Sequence, residues 1–183
     1  FFYLLYKQSI FNVNLFDLSL QLNGFPIKKA IRVLKTIQDV NDSDYKLYIE
    51  AKKREIIAYH LKNSSFYKSF ATDVDILDWN TVPIMTKKDL QKPIDERLSN
   101  DFTKNNVYIN KTSGSSGDPF TFAKDKFCHA LTWAIIQNRF EWYHLNFNNS
   151  KQARFYGIPL DKKGYYKERF KDKLSSRFRF SVF

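Results

Sequence analysis

Near the middle of the chain, eight residues combine side chains and backbone freedom in a way that suits an anion: Thr112-Ser113-Gly114-Ser115-Ser116-Gly117-Asp118-Pro119. Glycines at 114 and 117 let backbone N–H groups approach a ligand with no Cβ in the way. The hydroxyls of Thr112, Ser113, Ser115 and Ser116 add directional donors. Such a run can wrap phosphate oxygens. It has neither the Gly-Lys-Ser/Thr ending of a Walker loop nor the Gly-x-Gly-x-x-Gly spacing of a dinucleotide fingerprint. By composition alone a flexible linker is the better reading, so the setting of the run has to decide.

That setting is structured. Residues 107–112 have strand character and 120–123 form a second short strand, which together predict a hairpin closed by a long glycine loop. A helix over 125–145 follows, with Phe127, Leu131, Ala134, Asn138, Trp142 and Leu145 at helical spacing. Upstream, Asn23-Gly24 marks a turn, and Pro26 suits the first turn of a helix running to 38. The polar break Asn41-Asp42-Ser43-Asp44 offers N-caps to a helix over 45–62, stopped by Asn63-Ser64-Ser65. Residues 66–70 read as a short helical turn and 73–83 as irregular. Thr86-Lys87-Lys88-Asp89 has the form of a capping box, predicting a short helix that ends before Pro93. Downstream, 153–158 is a strand, and Tyr166, Phe170, Leu174 and Phe178 fall four apart as an apolar ridge on a basic helix. The expected class is α/β: a helical N-terminal region over 1–75, then the first part of a mixed sheet with flanking helices over 76–183.

With those elements in place, the pattern at 112–119 resembles the phosphate-binding signature of adenylate-forming (AMP-binding) ligases, Ser/Thr-Ser-Gly-Thr/Ser-Thr/Ser-Gly-x-Pro. Two further blocks precede it, Ser65-Phe66-Tyr67-Lys68 and Val82-Pro83-Ile84-Met85-Thr86-Lys87-Lys88-Asp89-Leu90. Their order and spacing are similar to the lead-in of phenylacetate–CoA ligase-like proteins, including members attached to capsular polysaccharide biosynthesis. The resemblance spans about residues 59–130 and is weak beyond. It implies ATP-dependent activation of a carboxylic acid to an acyl-adenylate, release of pyrophosphate, and transfer to a thiol such as that of coenzyme A. ATP, Mg²⁺ and coenzyme A are the cofactors it implies. Thr112, Ser113, Ser115 and Ser116 would donate hydroxyls to the terminal phosphates, while Gly114 and Gly117 admit the backbone. Donors preset in this way stabilise charge on departing pyrophosphate, with Mg²⁺ sharing the work.

The chain also departs from that pattern. Many such ligases place a Lys directly after the Pro, whereas Phe120 stands here, as in phenylacetate–CoA ligase-like proteins, which often lack that Lys. Asp118 adds a negative charge that weakens phosphate binding unless it faces away or pairs with Lys111 or Lys124. The adenine-binding aromatic motif, the ribose-binding acid and the small C-terminal domain with its catalytic Lys find no match, and the resemblance puts them beyond Phe183. It reads the chain as an incomplete large N-terminal domain, inactive alone, with no catalytic residue assigned and no metal held by protein side chains.

Composition bounds the alternatives. Hydrophobic residues are 43% of 183, enough for a core, and 30 Lys and Arg against 19 Asp and Glu give a formal charge of +11. With 18 Phe and 11 Tyr, that charge supports a rival: a basic, aromatic-rich module for nucleic acid or an anionic membrane surface. No RNA-recognition, helix-turn-helix or finger signature accompanies it, so specific nucleic-acid binding is not expected. Cys128 is the lone cysteine, excluding an internal disulfide and fitting a reducing cytoplasm. His60, His129 and His144 lack metal-ligand spacing and read as packed or solvated. No stretch reaches the ~20 apolar residues of a transmembrane span. Neither terminus has the look of a natural chain end, and the sequence does not fix the acid, the acyl acceptor or the oligomeric state.

Overall fold

The computed structural model describes residues 14–112, 119–156, 165, 166, 169, 172, 173 and 176–181. The chain is mixed α/β, with helices α1 (Leu15–Leu22), α2 (Ile27–Gln38), α3 (Asp42–Asn63), α4 (Ser65–Phe70), α5 (Ile94–Arg97) and α6 (Lys126–Glu141). Four strands accompany them: β1 (Val107–Lys111), β2 (Thr121–Asp125), β3 (Gln152–Tyr156) and β4 (Arg177–Ser181). The fold divides into two compact units, Arg32–His129 and the flanking Phe1–Ile31 with Ala130–Phe183.

In the 32–129 unit, capping chemistry sets the helix ends. The Asn41 side chain accepts the Asp44 N–H and starts α3. Ser64, buried, closes α3 by donating its N–H to the His60 carbonyl and opens α4 by accepting the Tyr67 N–H at 3.2 Å. Asn100 N–H then reaches back to the Asn63 carbonyl at 2.7 Å, tying the segment after α5 to the end of α3. β1 and β2 pair antiparallel, from Val107 opposite Asp125 to Lys111 opposite Thr121, which is the hairpin the sequence predicts.

Thr86 does not start the expected α-helix. Its N–H and hydroxyl both donate to the Asp89 carboxylate, but only a 3₁₀ turn at Asp89–Gln91 follows. Pro93 forces Lys92 extended (ψ 152°), leaving too few residues for an α-helical turn, and helix resumes after the proline as α5.

In the other unit, Phe147 (3% exposed) sits among Phe16, Trp133 and Phe140, with ring centroids 5.0 to 5.9 Å from its own. Gln137 donates to Asp17 at 2.6 Å, joining α6 to α1. The helix α6 stops at Glu141 rather than at 145. His144 takes φ 56°, its N–H bonds to Glu141 O and the Leu145 N–H bonds to Phe140 O, a Schellman end that consumes the last carbonyls. Gly24 (φ 78°) ends α1 in the same way, with Phe25 N–H on Leu20 O.

β3 and β4 pair parallel, Gln152 opposite Arg177 through Tyr156 opposite Ser181. The ridge predicted to carry a helix to Phe178 is therefore overturned: Ser176 (φ 50°) breaks the chain and Arg177-Phe178-Arg179-Phe180 alternates as a strand. Among the described residues the strands form two separate pairs, not one mixed sheet.

Candidate functional site

The hairpin ladder continues one step past β1 and β2. Thr112 N–H donates to the Phe120 carbonyl at 2.9 Å, and Phe120 N–H donates to Thr112 Oγ1 at 2.9 Å. The two ends of the serine–glycine run are thus held together by main-chain and side-chain bonds. A hydroxyl that accepts one bond keeps its own O–H to give, so exposed Thr112 can still serve a ligand. Of the loop residues named from sequence, Ser113, Gly114, Ser115, Ser116 and Gly117 lie outside the described residues, as does Asp118.

Behind this end of the hairpin stands Arg97, the last residue of α5. Its Nη2 donates to the Thr121 carbonyl at 2.7 Å and its Nε to the Lys92 carbonyl at 2.9 Å. The guanidinium carbon lies 5.6 Å from the Phe120 ring centroid, within cation–π range. Burial pulls the Arg97 pKa down, yet a guanidinium stays charged at any physiological pH. Its neighbour Asp95 is engaged by Lys104.

From Arg97 a cleft of 540 Å³ runs between α3 and the hairpin. Tyr59 and His60 line it from α3, Ser99 and Phe102 from the segment after α5, and Phe122 and Asp125 from β2. The Tyr59 hydroxyl donates to Asp101 at 3.0 Å, and burial first, then that carboxylate, push the phenol's pKa up. His60 lies between the rings of Tyr59 and Tyr67, at 5.4 and 5.6 Å, and burial lowers its pKa. His129 stacks on Tyr108 at 3.8 Å, its pKa lowered by burial and then by Lys124. Asp125 accepts the Cys128 N–H at 2.7 Å and caps α6.

Of these groups the Arg97 guanidinium and the Thr112 hydroxyl are suited to an anion, whereas the Asp101 and Asp125 carboxylates are not. Among the described residues no group of three His, Cys, Asp or Glu side chains that could hold a metal ion stands together. Arg97 was invisible to motif reading, since a single basic residue 15 positions before Thr112 carries no pattern. No protein-family model, curated protein or solved structure matches the chain. No helix of the described residues is long and apolar enough to cross a membrane.

Proposed function

We propose that this chain carries the phosphate-gripping loop of an ATP-dependent, carboxylate-activating ligase of the phenylacetate–CoA ligase-like kind. On this reading the α/β architecture belongs to the large N-terminal domain of an adenylate-forming enzyme. The loop takes the terminal phosphates of Mg·ATP and steadies pyrophosphate as it leaves; coenzyme A is the expected acyl acceptor.

The observation that carries the reading is the Thr112–Phe120 closure. A flexible linker has no reason to end in a paired rung of a hairpin, whereas a phosphate loop needs both ends fixed so that its amides converge. The blocks at 65–68 and 82–90 support it from sequence. The test is equilibrium dialysis of the chain with labelled ATP and Mg²⁺, against the Gly114→Val/Gly117→Val double variant. Saturable binding displaced by pyrophosphate, weakened at least about tenfold in the variant, is expected from crowding the backbone approach. Binding displaced by adenosine but not by pyrophosphate overturns the reading.

A second reading draws on the β3–β4 pair. Phe155, Phe178 and Phe180 are exposed on one face, with Phe155 and Phe180 stacked at 5.3 Å. Lys151, Arg169, Lys173 and Arg177 line a 390 Å³ hollow that reaches Phe178. Aromatics beside cations suit single-stranded nucleic acid. Oligonucleotide binding that falls steeply with salt and is lost in Phe155→Ala supports this reading; salt-insensitive or absent binding removes it.

A further inference from the structure

We propose that the apolar stripe along α3 is the docking surface for an acidic amphipathic helix of a partner protein. The proposal is independent of the loop reading and uses residues of the Arg32–His129 unit alone.

The helix is longer than the part of it that is packed. Of its 22 residues only Ile57 is buried. Tertiary bonds gather at the C-terminal end, where Tyr59 donates to Asp101, His60 packs on Tyr67 and the Asn63 carbonyl accepts the Asn100 N–H. Residues 42–56 contain no buried side chain. An isolated helix of about that length is marginal in water, so this stretch gains from being covered. Its sequence says by what. Tyr45, Ile49, Lys52, Ile56 and Tyr59 follow at alternating steps of four and three, the seam that one helix offers to another. Tyr45 and Ile56 are each 48% exposed, and Ile49, Lys53, Ile56 and Tyr59 help to line a 530 Å³ hollow along the seam. Exposed Trp79 stands on the Lys53 side, with the Lys53 Nζ 5.2 Å from its ring centroid.

Charge selects the occupant. With successive residues turned by about 100°, Lys46 and Lys53 border one side of the seam and Lys52 lies within it. Glu55 borders the other side and already accepts a bond from Lys52. The surface is therefore cationic. In a second copy of α3, Lys52 at the centre of the seam would meet Lys52, whether the helices ran parallel or antiparallel about that point. Like charges set together in an interface disfavour that pairing. A helix with apolar residues at the same spacing, and Asp or Glu opposite Lys52 and along its edges, satisfies both the seam and the charge.

The test titrates the full chain with two three-heptad peptides that carry Leu at the seam positions, one flanked by Glu and the other by Lys. The Glu peptide is expected to bind saturably and at least about tenfold more tightly at low salt. Its binding should protect the amides of residues 42–56 from hydrogen exchange, a readout that needs no substitution. Y45D/I56D, at two exposed positions, should weaken it by about tenfold or more. K46E/K53E should reverse the preference and take the Lys peptide, which a merely structural role for these lysines would not produce. Equal binding of the two peptides, binding of neither, protection confined to other elements, or an unchanged preference in K46E/K53E overturns the proposal. A wild-type dimer in sedimentation that Y45D/I56D abolishes would assign the seam to a second copy and overturn it as well.

Discussion

Thr112 and Phe120 clasp each other across the open end of the β1–β2 hairpin, each donating its N–H, one to a carbonyl and the other to a hydroxyl, both at 2.9 Å. The side-chain half of this clasp is sequence-specific. Thr112→Val keeps the shape and leaves the Phe120 N–H without its acceptor. A loss of about 0.5–1.5 kcal/mol in urea unfolding is expected, at the lower end because the site is exposed, with Thr112→Ser close to wild type. Equal stability of the valine variant would show that the hydroxyl does not hold the loop end.

A second prediction concerns the start of α6. Asp125 closes β2 and caps the helix through the Cys128 N–H. Replacing an N-cap aspartate by alanine costs about 0.5–2 kcal/mol, and Asp125→Asn, which retains an acceptor oxygen, should lose much less. Thermal unfolding of the two variants side by side makes the comparison.

His144 supplies a substitution expected to stabilise. Its φ of 56° lies in the left-handed region, which costs a residue with a Cβ about 1–2 kcal/mol. Glycine removes that cost at the price of a more flexible unfolded chain, so His144→Gly should gain about 0.5–1 kcal/mol. His144→Val should lose stability, and a gain on valine would contradict the Schellman geometry.

The pH dependence follows from His60 and His129, whose pKa values both lie below the ordinary histidine value, chiefly through burial. Well above the unfolded value of about 6.5, the folded and unfolded chains are both neutral at these positions, and the groups do not affect stability. As pH falls below that, the unfolded chain takes up protons that the folded chain refuses, so stability drops until the folded pKa values are reached. Unfolding measured from pH 7.5 to 5 should show this decline, and His129→Phe, which keeps a ring against Tyr108, should flatten it. An unchanged slope in that variant would place the proton uptake elsewhere.

Local signals were legible where short-range chemistry decides the outcome. Asn41 and Ser64 cap helices as their side chains suggest, Asn23-Gly24 turns the chain, and the hairpin at 107–125 flanks the loop as its alternation implies. Misreadings came where two periods compete. Phe178 lies four residues after Leu174, which mimics a helix, yet Arg177 to Phe180 also alternates at period two, and pairing with β3 decides for the strand. At Thr86 the box was real in its side-chain bonds but the downstream proline left no room for the helix. The stripe expected on α6 holds only in part: Ala134 is buried as expected, but Ala130 and Gln137 are buried too, and Trp142 and Leu145, past the end of the helix, are exposed. Arg97 illustrates the limit of sequence for the site, because only the fold brings α5 to the end of a hairpin that begins ten residues later.

The most direct test of the central claim is a backbone amide titration with magnesium pyrophosphate. The account predicts that Thr112, Phe120 and the glycine amides at 114 and 117 shift together along one saturation curve, while amides of β3 and β4 stay in place. Shifts confined to the β3–β4 basic hollow, with the hairpin end unmoved at saturation, would contradict it.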